Sequence, residues 1–333
     1  MDRRRLVISM AACAASRLVS AQPAGRTYRI GYLGYTATDS SEGAQRIWNA
    51  FVQRLHDLGF AEGGNLVIEQ RFAEGQVERY PTLAAELIGL KVDVFVVASG
   101  SAARAVMSAS RSMPIVTVAV PDPVRAGLVA SLAHPGGQVT GISNLADELV
   151  PKRLELLKAA VPQATRIAIA RCPRCTQSSG QRAAEALAMY QEQAAAAHAL
   201  GVALLPLEVN SASDFESAKA AVARERPEAL LIGATPVNVA LRKEWVALAD
   251  AQRLPMLAPY RGFGAMLSYG PDFEAILRRA AEYVARILNG AKPAELPMEQ
   301  PTKLEFVVDL RIARSIGLEI PQSVLLRADE VIR

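Results

Sequence analysis

From residue 28 onward, short apolar runs rich in Val and Ile alternate with longer stretches of helical period. Parallel strands need a crossover of a dozen or more residues, usually a helix, so this alternation restricts the chain to βαβ units and predicts parallel sheets. The first strand is read at 28–33. The stripe Ile47, Trp48, Phe51, Leu55 and Leu58 predicts a helix capped by Ser41 and stopped by Gly59. Strands follow at 66–71, 92–98, 114–120 and 139–142. Pro81 opens one intervening helix, 101–111 is a second, and a third is expected near 124–132. The run at 92–98 is apolar except at Asp93, as in a strand buried on both faces.

A helix from Pro151 to Ala160 opens a second set, with strands at 166–171, 203–209, 229–232 and 255–258 and helices at 181–200, 213–224 and 237–252. Two α/β units of about 110–130 residues result. Beyond them the pattern loosens: a turn-rich stretch at 267–272, a helix at 273–288 closed by Asn289-Gly290, a Pro-punctuated segment at 291–301, a strand at 304–310 and a short helix ending at Gly317. This tail is too short for a third domain. It is read as shared between the two units, with the chain crossing between them more than once.

The 333 residues are 51% hydrophobic and 21% charged, which excludes a disordered chain or a disulfide scaffold. Their net charge of +4 points to an anionic partner only if the excess lies in the folded part. It lies instead at the start. Arg3, Arg4 and Arg5 precede an apolar run from Leu6 to Ala15, and Val19-Ser20-Ala21 offers a cleavage site before Gln22, so 1–21 reads as an export signal. RRRLV at 3–7 also has the look of a twin-arginine signal, and MAAC at 10–13 that of a lipoprotein box ending in Cys13. An apolar run of about ten residues is too short for a bilayer, which needs about twenty. Without Arg3, Arg4, Arg5, Arg17 and Asp2 the chain keeps 33 basic and 32 acidic residues. A periplasmic location and no nucleic-acid partner are expected.

GYLG at 31–34 is not a dinucleotide fingerprint, and the sequence has no P-loop, GxSxG or HExxH motif. His56, His134 and His198 are far apart, none with a partner at ligand spacing. No catalytic residue, metal site or cofactor is expected. CPRC at 172–175 reads as a local disulfide or as two unpaired loop thiols, with redox catalysis and a zinc site as alternatives.

In open parallel sheets, ligands bind beyond the carboxyl ends of the strands. There the sequence places Tyr35 and Thr36, Ser99, Gly100 and Ser101, Asp122, Cys172 and Cys175, Thr235, and Tyr260. Small residues opening a helix at 99–101 expose amide N–H groups that suit a carboxylate or phosphate, and Asp122, between two prolines, suits an ammonium group. Together they suit a zwitterion. Helix capping by Ser99 or Ser101 and a simple turn at Asp122 are the alternatives. Tyr35, Tyr260 and Tyr269 suit the wall of an apolar side chain, or plain packing.

Several segments carry a family likeness: RIGYLG (29–34), LGFAEGGNLVIE (58–69), DPV (122–124), GLVASLA (127–133), PGGQVTG (135–141), KRLELL (152–157), SYGPD (268–272), EQPT (299–302) and RADEVI (327–332). In order and spacing they resemble the ABC transporter substrate-binding proteins of the tryptophan/tyrosine type, from about residue 29 to the C-terminus. The resemblance implies a type I periplasmic-binding fold of two Rossmann-like lobes, 27–142 plus 270–298 and 143–269 plus 299–333. Three crossings are expected near 141–145, 268–272 and 296–302, and Asn144 and Asp272, on the first two, join the ligand-binding candidates. The implied function is the extracytoplasmic solute-binding component of an ABC importer. It would hold an aromatic or branched amino acid between the lobes and present it, as a monomer and without turnover, to a membrane permease. The family commonly has an Asn-Pro-containing loop where this chain has CPRC. A receptor for a membrane signalling protein and an enzyme on the same scaffold are the alternatives, the latter needing a nucleophile–base or metal set. A transcriptional regulator would need a helix-turn-helix where the export segment stands.

Overall fold

The computed structural model describes residues 26–36, 42–176 and 181–333. The export segment and the capping residue Ser41 lie outside them. The first sheet is formed by β1 (Tyr28–Gly34), β2 (Leu66–Phe72), β3 (Val94–Val97), β4 (Ile115–Val120) and β5 (Val139–Ser143). They run parallel in the order β2-β1-β3-β4-β5, connected through α1 (Glu42–Asp57), α2 (Tyr80–Gly89) and α3 (Gly100–Ala109). All four residues of β3 are buried, as a strand covered by helices on both faces requires. Asp93, the polar exception in that run, sits just before the strand. It accepts from the Arg29 N–H at 2.7 Å and from the Arg26 guanidinium at 2.8 Å.

The second sheet follows α4 (Val150–Ala160). It contains β6 (Arg166–Arg171), β7 (Ala203–Glu208), β8 (Ala229–Ile232), β9 (Met256–Ala258), β10 (Leu267–Pro271), β11 (Leu304–Asp309) and β12 (Glu330–Ile332) in the order β12-β11-β10-β9-β8-β6-β7. Its helices include α5 (Gln181–Ala199), α6 (Phe215–Glu225), α7 (Pro236–Ala240) and α8 (Arg242–Gln252). The pairs are parallel except β10–β11.

Three expectations are corrected. The helix expected near 124–132 is a set of turns: Gly127 N–H bonds to Val124 O and Leu128 N–H to Pro123 O, but Gly127 takes φ +65° and ends the winding at once. The turn-rich 267–272 is mostly strand β10, because pairing to β9 on one side and β11 on the other outweighs the local Gly and Pro signals. The single helix expected at 237–252 is two, broken at Leu241.

The chain passes between the sheets three times. It leaves the first after β5, returns after β10 with α9 (Phe273–Leu288), and leaves again before β11. Although α9 follows a strand of the second sheet, it packs on α1, β3, β4 and β5, burying Ile276, Leu277, Ala280, Ala281, Tyr283 and Val284. The first and third passages lie side by side: Ser143 N–H bonds to Glu299 O, and Glu299 N–H to Gly141 O. Gly141 has φ +125°, and a Cβ there would meet Thr117 O at 2.3 Å, so the glycine ending PGGQVTG is dictated by β4–β5 packing. α10 (Leu310–Ser315) and α11 (Gln322–Leu325) complete the chain.

Candidate functional site

The carboxyl ends of both sheets face one cleft. Ala98, Ser99 and Gly100 follow β3, and Pro121 and Asp122 follow β4; opposite them stand Arg171 to Pro173 and Cys175 at the end of β6, and Gly233 to Pro236 after β8. In the second sheet β6 and β8 are the strands where the winding reverses, the switch point at which open α/β sheets leave a crevice. The cavity between these strand ends is lined from both sheets, by Ala98, Ser99, Gly100 and Pro121 on one wall and by Arg171 to Pro173 and Gly233 to Pro236 on the other. A neighbouring one shares Gly100, Pro121, Asp147, Cys175 and Met189 with it, so the two are one cleft. α3 also packs against the Cys172–Cys175 turn, which brings the two sheets' loops into contact.

Each wall is fixed locally. Ser99 caps α3, its Oγ accepting from Ala102 N–H at 3.1 Å. Thr235 caps α7 in the same way through Asn238 N–H. The fully buried Asn238 donates from Nδ2 to Ala170 O and Gly233 O, bracing the ends of β6 and β8 against each other. Cys172 and Cys175 form a disulfide, and Asn210 Oδ1 accepts from Arg174 N–H within that turn. Asp122 accepts from Arg125 twice, from the backbone N–H at 2.9 Å and from Nε at 3.2 Å.

Of the residues read from the sequence, the structure therefore brings Ser99, Gly100, Asp122, Cys172, Cys175 and Thr235 to the cleft lining. The others lie off it. Tyr35 donates its hydroxyl to Gly75 O within the first lobe's core, with Thr36 beside it, and Ser101 is one residue further along α3. Asn144 is buried on the first crossing, accepting from Ala146 N–H. Tyr260 packs edge-on against Phe263 and Phe273, and Tyr269 against Phe306. Asp272 caps α9 and pairs with Lys303 at 3.0 Å.

Four charged lining residues were not singled out from the sequence: Arg104, Arg125, Asp147 and Arg171. Arg171 is the last residue of β6, where the strand-end rule could have found it. Its guanidinium lies 4.7 Å over the Tyr190 ring and donates to Ala186 O; burial pulls its pKa down. Gln193, a buried amide on α5, was hidden in an Ala-rich stretch that reads as helix propensity alone. Val150, Ile169 and Met189 supply apolar lining.

Residues 37–332 match the family described as ABC transporter substrate binding protein. The chain belongs to that family. Its members are binding proteins rather than enzymes, and no described helix of this one is long and apolar enough to cross a membrane. A tyrosine-binding protein of Clostridioides difficile (strain R20291) is 25% identical over 272 residues, spanning 81% of this chain and 76% of that protein. Among solved structures, a conserved domain protein from Vibrio cholerae overlays with a TM-score of 0.81 at 26% identity, covering 92% of this chain and all of the other. An ABC domain from Streptococcus pneumonia, crystallised in complex with L-Trp, overlays at 0.78 with 24% identity and the same coverage. The two-lobed periplasmic-binding fold expected from the sequence is the fold of this substrate-binding protein.

Proposed function

We propose that this substrate-binding protein takes tryptophan or tyrosine into the cleft between its sheets and presents it to the permease of an ABC importer. The observation that carries the reading is the cleft itself, with polar strand ends on both walls, in a family whose relatives are a tyrosine-binding protein and an L-Trp complex. The Gly100 amide that opens α3, beside the Ser99 cap on the cleft lining, suits a carboxylate. Met189 and the Cys172–Cys175 sulfurs suit an aromatic ring, with which sulfur makes favourable contacts. The lobes would be 27–142 plus 270–298 and 143–269 plus 299–333, hinged at the three crossings and closing on the ligand without chemical turnover. The export signal at 1–21 and a monomeric, extracytoplasmic receptor belong to the same reading.

Titration calorimetry with the purified protein should show saturable 1:1 binding of L-tryptophan or L-tyrosine. At about a hundredfold excess over Kd the complex gains about 2.7 kcal/mol, a rise in thermal midpoint of roughly 5–10 °C. A screen of the common amino acids that produces neither heat nor shift would sink the proposal.

The disulfide gives a second test of the same wall. Closing so short a loop is worth about 2 kcal/mol by chain entropy, so Cys172→Ser with Cys175→Ser should cost a few degrees of thermal midpoint. Ligand affinity should drop about tenfold as the turn loses its shape. Unchanged affinity would remove the pair from the site.

A further inference from the structure

Two carboxylates line the cleft, and they differ in commitment. Asp122 is held by Arg125. Asp147, on the first crossing between β5 and α4, is half-buried at the junction of the two cavities, and none of the described residues hydrogen-bonds or ion-pairs with its carboxylate. The charged groups that face it are Asp122 and Arg125 after β4, Arg153 on α4, Arg171 at the end of β6, and its neighbour Glu148; Arg104 of α3, on the same lining, donates to Ala126 O. The other three cations are engaged elsewhere too. Arg125 holds Asp122, Arg153 donates to three backbone carbonyls, and Arg171 bonds to Ala186 O over the Tyr190 ring. Burial, the largest influence, pushes the Asp147 carboxyl up to about 6. A carboxylate left this way costs stability until a cation reaches it, and the cleft is where one could enter.

We infer that Asp147 is the side chain that takes the ammonium group of a bound amino acid, at the crossing between the lobes. This rests on the amino-acid reading above. With the ammonium at Asp147, the ligand's carboxylate can turn toward the Gly100 amide of α3. The side chain is then left between Ile169, Met189 and the disulfide. Only the ionised carboxyl attracts an ammonium group, and the ligand keeps both its charges between about pH 5 and about pH 7.5. Affinity is therefore level above about pH 7 and falls as Asp147 protonates, approaching about tenfold per unit well below pH 6.

Calorimetry with L-tryptophan and L-tyrosine at about pH 7.5 and about pH 5 tests this on the wild-type protein, Asp147→Asn and Asp122→Asn. Asp147→Asn should bind about 100-fold more weakly at the higher pH and lose the acid-side fall. Asp122→Asn should lose less and keep that fall. The raised carboxyl pKa means that ionised Asp147 costs the fold stability as pH rises through about 6. The Asn variant should accordingly melt at or above the wild-type temperature at about pH 7.5, which separates lost binding from lost structure. Wild-type affinity that does not change with pH, or an Asn variant that binds within about threefold of wild type, overturns the role of Asp147 and leaves the amino-acid reading standing. A wild-type protein that binds neither amino acid overturns that reading and this inference together.

Discussion

Arg153→Ala should lower the thermal midpoint by roughly 10 °C, a cost on the order of 3–5 kcal/mol. Arg153 is buried inside the second lobe, where its guanidinium donates from Nε to Tyr269 O at 2.8 Å, from Nη1 to Ala146 O at 2.9 Å and from Nη2 to Pro259 O at 3.2 Å. These carbonyls belong to three separate segments: the first crossing, the end of β9 and the strand that leads into the second crossing. Burial pulls the arginine's pKa down to about 10, yet it stays charged at any working pH. Truncation leaves all three carbonyls without their donor. Arg153→Lys keeps the charge but not the planar fork, so it should recover only part of the loss. Circular-dichroism melts of the three proteins decide the matter. A midpoint for the Ala variant within about 2 °C of wild type would show that the carbonyls find other donors, and that Arg153 does not organise the hinge.

Most of the architecture was legible because it rests on periodicity. The βαβ alternation over 28–258 gave β1 to β9 to within about two residues, since a buried parallel strand is apolar and its crossover helix amphipathic, while β12 was not read at all. What could not be read was set by partners distant in sequence. β10 is a strand only because β9 and β11 flank it, and nothing in α9's own pattern says that it covers the first sheet; its assignment to the first lobe came only with the family resemblance. The site divides along the same line. Ser99, Gly100, Asp122 and Thr235 follow from the rule about strand ends, which needs only local prediction. Asp147 lies on a crossing, and its interest comes from what surrounds it: burial, and three arginines each engaged elsewhere. No local pattern encodes that. Tyr260 and Tyr269 fail for the opposite reason, because an aromatic near a strand end is equally suited to packing, which is where the fold puts both.

Gly270→Ala should be as damaging as the loss of Arg153, through the same contact. A Cβ built on Gly270 would lie 1.8 Å from Pro259 O, 3.0 Å from Pro259 C and 3.2 Å from Arg153 Nη2. The obstruction is backbone, which cannot swing aside as a side chain would, and Gly270 pairs with Glu305 of β11 on its other flank. Relief must come from separating β10 from the end of β9, at a cost of about 3 kcal/mol or more. The glycine of SYGPD is thus required by close approach alone, with no positive φ involved. Moving the Pro259 carbonyl also removes one of Arg153's acceptors, so the two lesions overlap. In a double-mutant cycle, Gly270→Ala with Arg153→Ala should cost less than the sum of the singles by about 1 kcal/mol or more. Strict additivity in denaturant melts would mean that the glycine and the arginine secure the hinge independently. The coupling predicted here instead makes Pro259 O the point through which β9, β10 and α4 are held together behind the cleft.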